Sequence, residues 1–266
     1  MCCVRRLASP AERPLFVEER ALYGGRSDLY DRLYFRADLY EHVAGFVQEQ
    51  LGPITAPRIL DLCAGTGSHA RFLSERGAVV VGVDQSAAML EIARQKVPEA
   101  AFVCADVRSF ALHEKFHAVT CLYGAVHYLE DVGDVRRVFD RVVEHLLPGG
   151  VAVFELRDGR NLDERPLSEE RDGLRVTTRW QKRCGARGSD LYLVSAYEPS
   201  SGLDFLEAHN LFLLRPSLFV EQARRAGFAE ISLFAGYTSE PYRVEVGTDV
   251  AVLVARSPRS ERAEHR

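Results

Sequence analysis

The chain has 266 residues, 47% of them apolar and 27% charged, enough to bury one full core. A net charge of −4, with no long block of one sign, lacks the electrostatic footprint of a nucleic-acid binder. The start carries no apolar core of roughly 7–15 residues, and nowhere do about 18 apolar residues run together. Neither a secretory leader nor a membrane span is therefore expected, and a cytoplasmic location follows.

Residues 1–27 contain Pro10, Pro14 and Gly24-Gly25 and read as an irregular N-terminal segment. Asp28 is a reasonable N-cap for a helix running to about Glu49, because Leu29, Leu33, Tyr40, Val43 and Val47 recur at near-helical spacing. Alternation then begins. Arg58–Leu62 is a short buried strand, followed by a glycine loop and a helix through Arg76. A strand over 78–83 leads to a helix capped by Ser86 and ending before Pro98. Strands at 101–104 and 116–122 follow, then an amphipathic helix carrying Val135, Val138, Phe139, Val142, Val143 and Leu146. Pro148-Gly149-Gly150 closes it ahead of a strand over 151–154. Strands alternating with helices of this length imply parallel βαβ units.

After Glu155 the period changes. Arg157–Asp172 reads as a charged connection. Three stretches near 174–181, 191–197 and 203–214 then read as strands separated by turn formers. Together they predict an inserted three-stranded antiparallel lid over about 172–214. A helix over 217–226, a strand near Ile231 and a last strand Val250–Ala255 resume the main domain, which spans 28–256. Residues 257–266 read as a disordered tail. The six cysteines include no Cys-x-x-Cys pair, so they are expected reduced and mostly buried, and no metal site is expected.

The decisive segment is Asp61-Leu-Cys63-Ala-Gly65-Thr-Gly67. Glycines at a strand-to-helix turn let a ligand approach the backbone. The spacing Gly65-x-Gly67-x-x-Ala70 also fits a dinucleotide fingerprint, but the acid discriminates. Asp61 sits where a pyrophosphate would lie against the helix N-terminus and would repel it. It suits a phosphate-free cofactor with a cationic amino-acid end. Asp84 closes the second strand, where an acid accepts ribose hydroxyls, and Asp106 follows the third, where a carboxylate can accept from an adenine amine.

These residues, with Ala105-Asp106 and the Leu147–Gly150 turn, resemble the class I S-adenosylmethionine (SAM) dependent methyltransferases over about residues 28–255. The resemblance implies a Rossmann-like α/β fold whose seven-stranded mixed sheet has its last strand antiparallel. It implies SAM as cofactor and S-adenosylhomocysteine (SAH) as product. It also implies a cofactor set of Tyr30, Asp61, Cys63, Gly65, Gly67, Asp84, Gln85, Met89, Asp106, Val107 and Leu122. A narrower resemblance, carried by Tyr30–Tyr34, the meander and Glu207-Ala-His209, is to bacterial small-molecule N-methyltransferases acting on nucleotide-linked amino sugars; glycine N-methyltransferase is more distant. Where those enzymes carry a histidine after the fourth strand, this chain has Tyr128, one residue after His127.

His127 reads either as a general base or as a capping histidine beside the Asp131 turn, and Tyr128 as its alternative. Tyr30 and Tyr34 share a helix face that either closes over the cofactor or packs into the core. Tyr34, Glu155, Trp180, Tyr197 and His209 are the candidate substrate residues. The expected function is methyl transfer to N or O of a small molecule, in the setting of bacterial secondary metabolism, by a monomer or homodimer needing neither nucleic acid nor membrane. A non-catalytic SAM-binding regulator or scaffold and a nicotinamide-dependent oxidoreductase are the alternatives, Asp61 and Asp106 speaking against the latter.

Overall fold

The computed structural model describes residues 21–171, 173–183, 189–244 and 248–259. Cys2, Cys3, Cys184, most of the N-terminal segment and residues 260–266 lie outside them. The expected helix from Asp28 to Glu49 is two pieces. A 3-10 turn over Ser27–Leu29 runs into α1 (Tyr30–Tyr34), and the chain then opens at Phe35 and Arg36 before α2 (Ala37–Leu51). Packing outweighs helical continuity here: the Phe35 ring stacks on Tyr40 at 5.4 Å and lies 6.2 Å from Phe72. Asp28 caps nothing and is exposed.

β1 (Arg58–Leu62), α3 (Ser68–Glu75), β2 (Val79–Asp84), α4 (Ala87–Lys96), β3 (Ala101–Cys104), β4 (Phe116–Cys121), α5 (Val132–His145) and β5 (Leu146–Arg157) follow the expected alternation. The caps are those the residues suggest. Ser86 Oγ accepts from Met89 N at 3.1 Å, and Asp131 Oδ1 accepts from Asp134 N at 2.8 Å.

The inserted unit, residues 163–211, is described by itself. It holds β6 (Leu167–Arg171), β7 (Leu174–Gln181), β8 (Asp190–Glu198) and β9 (Leu203–Leu211), a four-stranded antiparallel sheet in that order where three strands were expected. The extra strand pairs along Leu167↔Thr178 to Arg171↔Leu174. It is an edge strand studded with Glu169, Glu170 and Arg171, the charged composition that keeps edges from pairing further, and it shows no apolar alternation.

The chain returns through α6 (Pro216–Ala226), β10 (Glu230–Ala235) and β11 (Val250–Arg256). The main sheet has seven strands in the order β10-β11-β5-β4-β1-β2-β3, with β11 antiparallel to both neighbours. Alternate residues feed two cores. Leu60, Leu62, Val119, Phe154 and Leu253 meet α5 and α6, while Ile59, Val80, Ala118, Val153 and Val252 meet α2, α3 and α4. Strand order reverses between β1 and β4, so the ligand crevice of this sheet opens at their carboxyl ends.

Two further expectations are corrected. Residues 257–259 are not a loose tail: Ser257 N–H donates to Gly150 O at 2.9 Å and its Oγ to Leu147 O at 2.7 Å. Cys104 is exposed, although Cys121 is buried as expected. Among the described residues no helix is long and apolar enough to cross a membrane, and no group of three or more His, Cys, Asp or Glu is placed to hold a metal.

Candidate active site

β1 delivers its chain into a tight loop in which Cys63, Gly65 and Gly67 all have positive φ, +57°, +54° and +77°. A side chain at Gly67 would be strained by its positive φ and crowded, its Cβ lying 3.0 Å from the Cβ of Ala93 in α4. Cys63 holds a left-handed conformation without being glycine, a small backbone strain of the kind found beside ligands. Its thiol is hydrogen-bonded to Cys121 at the end of β4, which with burial raises its pKa.

Asp84 ties this loop to the next. Its Oδ2 accepts from Gly65 N at 2.9 Å and its Oδ1 from Ser86 N at 2.8 Å. Burial raises its pKa and these backbone donors oppose the rise. Each oxygen keeps further acceptor capacity, which suits a vicinal diol. Met89 is fully buried, and its Cε reaches within 3.8 Å of a Cβ built on Gly65. Leu122 is buried, Val107 is half-buried and Gln85 is exposed at the turn after Asp84.

Asp61 is the informative group. Its Oδ1 accepts from Thr120 Oγ1 at 2.8 Å, whereas its Oδ2 is buried and has no partner. Burial pushes its pKa up to about 7; the Thr120 hydrogen bond opposes this and the nearby Asp84 charge adds to it. A buried carboxylate oxygen left unsatisfied costs about 1–3 kcal/mol or more. A cationic donor relieves that cost. The donor set therefore fits SAM: Asp61 would take its ammonium and Asp84 its ribose, with Met89 and Leu122 as apolar walls.

Asp106 stands at the turn after β3. Its carboxylate forks onto Arg108, accepting from the Arg108 backbone N at 2.8 Å and from Nη2 at 2.5 Å. Those bonds lower its pKa. These bonds organise the turn after β3, and the side chain stays one-third exposed, with acceptor capacity left over.

Of the two readings of His127, base or capping and packing histidine, the geometry fits the second. His127 is fully buried; its Nε2 accepts from Arg157 N at 2.7 Å and its Nδ1 lies 3.0 Å from Phe212 O. A backbone N–H forces Nε2 to be the acceptor, so Nδ1–H donates to the carbonyl. Burial lowers the pKa to about 4, the Phe212 carbonyl opposing. Both ring nitrogens are committed, and His127 is a structural tie rather than a base. Tyr128 shares a 2.8 Å hydrogen bond with Tyr23.

Glu155 likewise anchors instead of facing a substrate. Its Oε2 accepts from Tyr123 N at 3.0 Å and from Tyr237 Oη at 2.6 Å, holding the loop after β4. That loop carries Tyr123 at φ +58°. Around it stand aromatic rings from distant stretches: Tyr30–Tyr34 at 4.9 Å, Tyr34–Tyr123 at 6.0 Å and Tyr40–His69 at 4.6 Å between centroids. The sequence singled out Tyr30 and Tyr34; Tyr123, Tyr40 and His69 join their cluster only in the structure. The available signal was a histidine two residues beyond Gly67. In the structure its Nε2 is buried without a partner, and burial lowers its pKa to about 3.

Trp180 and His209 belong to the inserted sheet and share one face through Tyr192, which pairs with both. Tyr197 stands at an odd position of β8, on the opposite face, and is exposed. The three expected substrate residues of this unit therefore do not form one surface.

Comparisons with known proteins agree with this geometry. A methyltransferase-domain family model matches residues 59–150. A dTDP-4-amino-2,3,4,6-tetradeoxy-D-glucose N,N-dimethyltransferase of Saccharopolyspora spinosa is 37% identical over 147 residues, covering 53% of this chain and 58% of that protein. A dTDP-3-amino-3,4,6-trideoxy-alpha-D-glucopyranose N,N-dimethyltransferase of Streptomyces venezuelae is 33% identical, covering 48% and 56%. The matches thus span little more than half the length of these curated relatives. In fold, the SAM-bound amino pentose methyltransferase of calicheamicin biosynthesis from Micromonospora echinaspora is similar with a TM-score of 0.69 at 23% identity, covering 92% of this chain and 99% of that one. Residues 59–150 therefore match a methyltransferase-domain family, and the chain is similar in sequence to bacterial dTDP-amino-sugar N,N-dimethyltransferases and in fold to a SAM-bound methyltransferase.

Proposed function

We propose that this protein transfers a methyl group from SAM to the amine of a small molecule, an amino sugar carried on a nucleoside diphosphate being the favoured class. Bound SAM supplies an electrophilic methyl carbon for in-line displacement. The chain's own residues hold and orient. Asp61 takes the cationic end of the cofactor, Asp84 the ribose, and the Gly65–Gly67 backbone leaves room for close approach. Positioning supplies much of the rate in such a displacement.

The observation that carries the choice of nitrogen is the state of His127. A hydroxyl acceptor needs a general base, and this imidazole has both nitrogens bonded to backbone. An amine that has lost its proton to water brings its own lone pair, which takes the methyl carbon as the sulfonium C–S bond breaks and SAH leaves. The names of the curated relatives, dTDP-amino-sugar N,N-dimethyltransferases from actinomycete sources, support the same choice and a setting in secondary metabolism. We assign acceptor selectivity to the inserted unit, because every residue of the cofactor set belongs to the other one.

The test is a mass-spectrometric screen with SAM and matched dTDP-amino and dTDP-hydroxy sugars. The amino sugars should gain one or two methyl groups and the hydroxy sugars none; methylation of the hydroxy series alone would reject the assignment. Asp84→Asn should weaken SAH binding by about 1.5–3 kcal/mol, the scale of a hydrogen bond to a charged group, as read by calorimetry.

A further inference from the structure

A polar cluster beside the cofactor set joins three stretches far apart in sequence. Lys96, the last residue of α4, places Nζ 2.6 Å from Asp31 Oδ2, 2.9 Å from Ser68 Oγ and 3.1 Å from Thr66 Oγ1. Thr66 Oγ1 in turn donates to Asp31 Oδ1 at 2.6 Å. All three ammonium donors are used, and Thr66 and Ser68 are buried. Asp31 lies on α1; Thr66 and Ser68 belong to the glycine loop and the first turn after it.

The same N-terminal stretch is tied at two other places. The Tyr23 carbonyl accepts from Ser86 Oγ at 2.5 Å, and the Tyr23 hydroxyl meets Tyr128 at 2.8 Å. Residues 22–34 therefore bond to the loop after β1, the turn after β2 and the loop after β4. Those are the three strand ends that bound the ligand crevice. Leu22, Leu29 and Leu33 bury their side chains and keep the stretch folded. The Asp31–Lys96 pair differs from them: it retains access to water, with side-chain exposures of 31% and 18%. It is strong enough to hold and wet enough to open.

We propose that residues 22–34 are a strap over the cofactor crevice and that Asp31–Lys96 is the latch that sets how fast SAM and SAH exchange. This rests on the reading that the crevice holds SAM. Asp31 and Lys96 act as positioning residues: they fix α1, with Tyr30 and Tyr34, onto the glycine loop. Lifting the strap requires breaking Asp31 away from Lys96 and Thr66 together, since the three groups share protons.

The test measures SAH dissociation by stopped-flow tyrosine fluorescence, alongside trypsin cleavage after Arg32 and Arg36 in the ligand-free protein. Lys96→Met, which keeps the aliphatic stem, should speed SAH dissociation roughly 10-fold, within the usual range of coupling between two sites. It should also speed cleavage at those arginines, with a melting temperature close to wild type. Asp31→Asn should do the same, and the double variant should show the single loss once, because one latch is removed twice. Should Lys96→Met fail to fold, Asp31→Asn carries the same expectation. An unchanged dissociation rate in a folded variant, or effects that multiply in the double variant, overturns the latch. Absence of SAH binding in the wild type would instead overturn the proposed function on which it rests.

Discussion

His127→Ala should cost the fold about 3–5 kcal/mol, measured by urea unfolding at pH 7, rather than remove a catalytic base. The change leaves Arg157 N–H and Phe212 C=O without the partners they have at 2.7 and 3.0 Å. Each buried orphan costs about 1–3 kcal/mol, and the vacated space adds a cavity term. The sign of the pH dependence separates this role from catalysis. Folding lowers the His127 pKa from 6.5 to about 4. A depressed pKa gives stability that is present above 6.5 and is lost as pH falls through the folded value, because the unfolded chain binds the proton first. Wild type should therefore lose stability between about pH 6.5 and pH 4, and His127→Ala should lose less over that window. The acid limb of the rate profile in the still-folded variant should match wild type. Its disappearance would return His127 to the role of base.

Asp61→Asn should move stability and cofactor affinity in opposite directions. Folding raises this carboxyl from 3.8 to about 7 by burial. A raised pKa gives stability that is fully present below the unfolded value and lost as pH rises through the folded one. The ligand-free wild type should accordingly weaken from about pH 4 to pH 7 and stay level above. The amide removes that dependence and keeps an acceptor for Thr120, but its own NH₂ takes the place of the unpartnered oxygen. The net gain at pH 8 should be about 1–3 kcal/mol. SAM and SAH affinity should fall by about 1.5–3 kcal/mol, since a charged acceptor is replaced by a neutral group. In the wild type, affinity should strengthen as pH rises through 7, and in the variant this rise should be absent. A variant that binds SAH as tightly as wild type at pH 8 would dissociate Asp61 from the cofactor.

The two predictions share a cause. Both groups are buried, but the partners of His127 are all protein atoms, whereas Asp61 keeps one oxygen for something else. A satisfied buried group is accounted for by the fold; an unsatisfied one at a switch point has acceptor capacity left for a ligand.

What the sequence determined by itself is what local spacing encodes. Alternation of strands and helices named the parallel sheet. Ser86 announced the start of α4, because a cap acts over three residues. Asp61, Gly65, Gly67 and Asp84 were placed correctly at the ends of β1 and β2 and in the loop after β1, since acids and glycines at strand ends are legible in a linear chain. Tertiary structure alone decided where side chains spent their hydrogen bonds. His127 is held by Arg157 and Phe212, Glu155 by Tyr123 and Tyr237, and Asp31 by Lys96. Each pairing joins residues that are 30 or more positions apart, except Asp106, whose fork onto Arg108 is local and was simply not anticipated. The break at Phe35 and the edge strand Leu167–Arg171 escaped although their partners Tyr40 and β7 are near in sequence. Ring stacking and strand pairing are contacts between segments, and one-dimensional periodicity reports only how a segment faces its own axis.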